Sequence, residues 1–283
     1  AGPFGPLGAP EEPSVLPWTR GFVDEMPLPL GPLCPFRSEF WGWLEERHSS
    51  LDRRAAELIF KRDCGERLDH SEEDELRGHL HEANDKWLIW SMRMRSGDDF
   101  QAMEIVRVVD VLLRKESLSM AMLEAVVRWQ RQSLNAEAEG RLPPPPPRNV
   151  NMTALYSMST SLSRTTSMLM TPLSVSLPFL SEEASSMESP VVRDEVLALM
   201  ADHETVVKLG RGYRSFDPAG KIAYLDELES IKERWRIFYA RVRLMGALSP
   251  ELIVDGRAVV EAIGFPSVRQ FHAAMDEVHR QMR

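Results

Sequence analysis

Gly210-Arg211-Gly212-Tyr213-Arg214-Ser215 opens with the G-x-G spacing of a dinucleotide-binding turn, but Ser215 stands where the third glycine belongs and no strand pattern precedes it. The overlapping stretch Ser215 to Ile222 lacks the first glycine and the closing Ser or Thr of a phosphate loop. These glycines read instead as the end of one helix and a turn into Asp217. Of the seven histidines, His79 and His81 are two apart on a helix and point to different faces, while His272 and His279 share a face across two turns, too far for one ion. Cys34 lies in a proline-rich lead and Cys64 near a helix end. They have no CxxC pattern, no metal-ligand spacing and no base encoded nearby, which predicts reduced, structural thiols. The serines lack a GxSxG elbow. The expectation is a protein that is not an enzyme, with no catalytic, cofactor-binding or metal-ligating residue and no cofactor.

The elements that carry these residues repeat. The segment around Trp87, from His79 to Arg95, lies over Glu227 to Arg243 around Trp235 at a constant offset of 148, without a gap back to Leu51 over Leu199. In the first copy Phe40, Leu44, Leu51, Ala55 and Leu58 form one helical stripe. Asp69-His70-Ser71-Glu72 has the form of a capping box, and Leu76, Leu80, Ala83, Trp87, Trp90 and Met94 form the stripe of the helix it starts. Further helices are predicted over 98–114 and 117–134. In the second copy Val192, Val196, Leu199 and Val206 mark a first helix. Asp217-Pro218 supplies an N-cap with Pro at the first helical position, and Tyr224, Leu228, Ile231, Trp235, Phe238 and Val242 form the stripe that follows. Ser249-Pro250 opens a third helix, Gly264 ends it, and Ser267 caps a last one. Asp69, Asp217, Trp87, Trp90, Trp235 and Phe238 are therefore expected to be structural.

The sequence predicts an all-α protein of two tandem antiparallel helical units, 37–140 and 188–283, each with its own stripe. A proline-rich strap, 1–36, precedes them, and an extended Pro/Ser/Met-rich segment, 141–187, joins them. Nine prolines among residues 1–36 forbid helix, yet Phe4, Trp18 and Phe22 interrupt them with apolar side chains, so the strap reads as lying on a partner, with a disordered tail as the alternative. Pro143 to Pro147 predicts a polyproline rod acting as a spacer of roughly 15 Å. Residues 150–181 carry a single charge, Arg164, and Leu173, Val175, Leu177 and Phe179 alternate with smaller residues. A partner-bound strap, a relic of a targeting peptide and plain disorder all fit that composition.

The net charge is −9, with 16 basic against 22 acidic residues in 37–140 and 14 against 15 in 188–283. Nucleic acid is disfavoured as a partner, because an acidic surface gains nothing from phosphates. No run of about 18 apolar residues could span a bilayer. The chain starts without Met and without an apolar signal core, which reads as a targeting peptide already removed or left out.

The string Ala201 to Gly210, then Tyr213, Phe216-Asp217 and Gly220-Lys221, then Glu233-Arg234-Trp235-Arg236-Ile237-Phe238, resembles a family of small helical proteins of unknown function in cyanobacteria and plastids. Members of that family carry an LG-x-x-Y-x-x-FD-x-x-GK turn and an ERYRIF helix. The likeness covers roughly 190–283, and the first copy lacks the Leu-Gly and Gly-Lys elements. The resemblance implies lineage and fold, and with the straps it suggests an accessory or scaffold subunit docking on a photosynthetic membrane complex, a photosystem or its antenna. The expected place is a chloroplast, on the stromal side of the thylakoid, with the lumenal side not excluded. The alternative is a soluble assembly factor that binds such complexes transiently. Expected partners are protein subunits of a larger membrane-associated assembly, contacted through Phe4, Trp18, Phe22, Leu173, Val175, Leu177 and Phe179. Peripheral membrane association stays open.

Overall fold

The computed structural model describes residues 30–48, 53–155 and 189–283. The seven strap residues Phe4, Trp18, Phe22, Leu173, Val175, Leu177 and Phe179 lie outside them. Among the described residues every regular element is helical, as the periodicity predicts. After a 3₁₀ turn at Gly31–Leu33 come α1 (Glu39–His48), α2 (Arg53–Asp63), α3 (His70–Ser96), α4 (Phe100–Lys115) and α5 (Met120–Ala138). The second half holds α6 (Pro190–Leu209), a 3₁₀ turn at Gly210–Ser215, α7 (Pro218–Leu244), α8 (Pro250–Ala262) and α9 (Val268–Met282).

Side-chain caps set the helix starts. Asp69 accepts from Glu72 N at 2.8 Å while the Glu72 carboxylate accepts from Asp69 N at 3.1 Å, a complete capping box. Asp217 accepts from Gly220 N at 2.7 Å, with Pro218 at the first helical position. Ser119 and Ser267 cap α5 and α9 in the same way. The paired starts His70 and Pro218, and Met120 and Val268, are each 148 positions apart, and α3 and α7 are both 27 residues long.

Local elements correspond, but packing does not. Residues of α7 buried in the core are Tyr224, Leu225, Leu228, Ile231, Trp235, Phe238, Tyr239 and Val242, whereas α3 buries only Leu76, Ser91 and Met94. Trp235 is 1% exposed, but its counterpart Trp87 is half-buried, as is Trp90, their rings 6.0 Å apart at the edge of the molecule. The expectation of equal burial for the three tryptophans is corrected accordingly. On α3, held by α2, α4 and α5, one side is left to solvent, whereas α7 is covered by α6 and the second 3₁₀ turn.

The helical units do not keep separate cores. One apolar cluster joins Leu30 and Phe100 to Leu199, Tyr224, Trp235 and Phe238, and a second joins Leu33 and Val108 to Val260, Phe265 and Phe271. A third holds Phe40, Trp41, Met94, Ala102 and Ile105. Helix α4 and the segment 30–41 contribute to all three. Within Phe100–Leu113 of α4 only Arg107 is exposed, so most of this helix is at least partly covered.

Two expectations for the flanking segments are revised within the described residues. The end of the N-terminal strap seats on the protein itself, with Leu30, Leu33 and Cys34 buried. The polyproline run is docked rather than free: Trp129 Nε1–H donates to the Pro144 carbonyl at 2.8 Å, and Pro144, Pro147 and Val150 are the half-buried residues, one every three as a polyproline II face requires. Asn151 then caps a helical turn at 152–155, its side chain accepting from Ala154 N at 3.1 Å.

Trp235→Ala should cost about 3–5 kcal/mol, whereas Trp87→Ala should cost about 1–2 kcal/mol because much of that ring is already in water. Equal losses for both in denaturant unfolding would contradict the asymmetry of burial.

Candidate functional site

The chemistry-bearing residues converge where the segment 30–41 crosses the seam between the halves. Gln101, on the first turn of α4 and 6% exposed, clamps that segment from below: its Oε1 accepts from Ser38 N at 2.9 Å and its Nε2 donates to the Phe36 carbonyl at 2.9 Å. The clamp fixes Cys34 over α6. Cys34 Sγ lies 3.5 Å from His203 Nε2 and 3.2 Å from the Phe36 carbonyl, and the Phe36 ring meets the imidazole edge-on at 5.1 Å between centroids.

The hydrogen-bond directions follow from one donor. Trp235 Nε1 only donates, and it lies 3.3 Å from His203 Nδ1, so Nδ1 is the bare nitrogen and Nε2 carries the proton. His203 Nε2–H then points at the Cys34 sulfur, and the thiol donates to Phe36 O. Both titratable members are held neutral. Burial pushes the Cys34 thiol up to about 12 and pulls the fully buried His203 down to about 4. A nucleophilic cysteine needs its thiolate stabilised beside an imidazolium, and desolvation here opposes both charges. This cysteine–histidine pair is a structural tie.

The turn that the sequence could place but not explain sits beside it. A Cβ at Gly210 would lie 2.4 Å from the Tyr224 hydroxyl and 3.1 Å from Phe100 Cβ, so only glycine lets α7 and α4 close on this turn. Tyr213, 1% exposed, donates its hydroxyl to the Met282 carbonyl at 3.2 Å and so ties down the end of α9. Burial raises the Tyr213 and Tyr224 hydroxyls above their ordinary range. Arg214 bonds the ends of the first-half elements, its backbone N to Asp98 O at 3.2 Å and its guanidinium to Arg95 O at 2.8 Å, and Arg211 pairs with Glu39 at 2.9 Å. Lys221 lies 6.0 Å over the Tyr213 ring. Gly210, Tyr213 and Asp217 of the Leu-Gly to Gly-Lys pattern thus have packing or capping roles, whereas Leu209 is 53% exposed.

A third element is polar. Glu104 of α4 meets His279 Nε2 of α9 at 2.7 Å, with the carboxylate side chain 3% exposed. His279 and His272 line one cleft with Leu30, Lys232, Phe271 and Met275, a space of about 10 Å³ that holds no more than a water. Lys232 ion-pairs with Asp276 across it.

Sequence reasoning placed Asp69, Asp217, Trp235 and Phe238 in their structural roles. It missed His203, Gln101 and Glu104, and it read Cys34 as having no base nearby, whereas the base comes from 169 positions away. One signal could have found Gln101 and Glu104: both lie off the Arg107, Asp110 and Arg114 face of their helix, among its apolar positions.

Residues 184–283 match the model of a family described as a domain of unknown function (DUF1825). No curated protein and no solved structure matches the chain.

Two measurements check the tie. In the native protein a thiol reagent should modify Cys64, which is exposed, at once, and Cys34 only on unfolding; rapid native labelling of Cys34 would contradict its seating. Because folded His203 stays neutral while the unfolded chain takes up a proton near its ordinary value, stability should fall by up to about 3 kcal/mol as pH drops from about 6.5 to 4. His203→Asn, which keeps an acceptor for Trp235, should remove that part of the slope.

Proposed function

We propose that the chain is a non-catalytic docking subunit, a rigid helical body that holds low-charge apolar segments out to a larger membrane-associated protein assembly. The observation that carries this reading is where those segments leave the body. Glu195–Arg241 and Asp202–Arg234, at 2.7 and 2.8 Å, run α6 antiparallel to α7 and bring Val191 to the same end as Leu244 and Met245. These three are 72%, 67% and 48% exposed, an apolar end of the hairpin next to the point where the Ser/Met-rich segment joins α6. Apolar side chains gathered at one end gain about 25 cal/mol for each Å² that a partner covers. Among the described residues no helix is long and apolar enough to cross a membrane.

The resemblance noted for 190–283 points the assembly toward a photosystem or its antenna in a plastid, at the stromal face of the thylakoid. The common helix starts and caps at an offset of 148 support a tandem duplication in which 37–140 is a diverged copy of the matched domain. Phe4, Trp18, Phe22, Leu173, Val175, Leu177 and Phe179 are the contacts this reading assigns to the partner.

Replacing 156–181 by a Gly-Ser chain of equal length spares the Asn151 cap and the seat of the polyproline run. The variant should keep the wild-type melting temperature and lose co-migration with the photosystem fraction of mildly solubilised thylakoids. Full co-migration of the variant would remove the segment from the docking role.

A further inference from the structure

We infer that the second half, 189–283, is a helix receptor and that α4 of the first half is its built-in ligand, read as an aromatic residue followed four positions later by a carboxylate. The inference uses none of the low-charge segments and stands apart from the docking proposal.

Phe100, 3% exposed, enters a socket whose walls are all second-half residues. Its ring centroid lies 5.0 Å from Tyr213, 4.9 Å from Tyr224 and 5.8 Å from His279, in edge-on or tilted geometry, the arrangements aromatic quadrupoles favour. Gly210 forms the floor, and any Cβ there would collide with Tyr224 and press on Phe100. One helical turn on, Glu104 meets His279, which therefore touches both halves of the motif. The approach is fixed from the N-terminal side as well, where Arg214 bonds the Arg95 and Asp98 carbonyls just ahead of α4. At the other end Val108 packs on Val260, Phe265 and Phe271, and Lys115 Nζ lies 4.5 Å over the Phe265 ring. An aromatic anchor, a buried carboxyl–imidazole contact and further polar contacts around them are the parts of a recognition interface.

The internal repeat shows that this fit is one-directional. At the offset of 148, the socket residues Gly210, Tyr213, Tyr224 and His279 correspond to Arg62, Gly65, Leu76 and Arg131, which build no aromatic box. The key residues Phe100 and Glu104 correspond to Leu248 and Leu252, so the matching positions of the second half carry neither an aromatic nor an acid. Socket and key have separated onto different halves. The two are joined only through 139–188, a connection long enough that seating of α4 is an association event within one chain, favoured by effective concentration.

A protease site placed within 156–188 of the full-length protein tests this. After cutting, the wild-type halves should stay together through size exclusion at micromolar concentration. Phe100→Ala should weaken that association roughly thirty-fold, as loss of a hot-spot aromatic does. Glu104→Gln, which keeps the shape and loses the charge, should weaken it several-fold, and this variant serves if Phe100→Ala does not fold. Added in excess to the cut protein, a labelled peptide of residues 97–116 should displace the first half from the second, and the Phe100→Ala peptide should do so far less. Halves that part as soon as the linker is cut would overturn the inference. So would a peptide that displaces the first half equally well with and without Phe100. Exchange of first halves between two tagged copies of the cut protein would support it, with a second copy as the external source of the key.

Discussion

The structure depends on the burial of α4. A helix whose apolar side chains spread well beyond one stripe, leaving Arg107, Asp110 and Arg114 as its polar edge, cannot rest on one neighbour, because an uncovered apolar side leaves several large side chains in water. Here it is enclosed by α3, α9, the Gly210–Ser215 turn and the first 3₁₀ turn, and each of the three apolar clusters takes residues from it. The segment 30–41 closes the remaining side, which is why an end of a proline-rich lead comes to lie in the interior.

Enclosing α4 creates a difficulty that the polar residues resolve. Strap residues have no helix or sheet to satisfy their backbone groups, and a buried unpaired N–H or C=O is costly. Gln101 supplies one donor and one acceptor to that backbone, and the thiol of Cys34 donates to the same Phe36 carbonyl that Gln101 reaches. The chain from Trp235 through His203 to Cys34 satisfies an indole and an imidazole without burying a charge. Glu104 is the exception, a carboxylate kept inside, and it is held by His279. Groups that in another setting would signal catalysis serve here to make an interior strap affordable in hydrogen bonds.

The two halves show how one helical framework accepts two kinds of packing. Their caps and lengths agree, yet α7 is enclosed where α3 lies at the margin, and the turn after α6 carries Gly210 and Tyr213, which with Tyr224 of α7 receive a helix from the other half. The Leu-Gly to Gly-Lys pattern is explained by close approach at Gly210, a hydroxyl on the end of α9, and a cap at Asp217, all of which are packing demands.

What the sequence by itself determined was local. The capping boxes, the Pro at a first helical position and the 3.6-residue period set the helix boundaries and the all-α class, because those signals act within one or two turns and need no tertiary partner. The constant offset of 148 was legible for the same reason, as a correspondence of such signals. The tertiary structure alone decided which stripes are buried, that Trp87 and Trp235 differ in exposure, and that the polyproline run lies on Trp129. It also decided that Cys34 and Glu104 find histidines 169 and 175 positions away. Contacts between residues so far apart leave no periodic trace along the chain. They exist because a helix with only a narrow polar edge had to be covered on several sides, and only the folded arrangement could say by what.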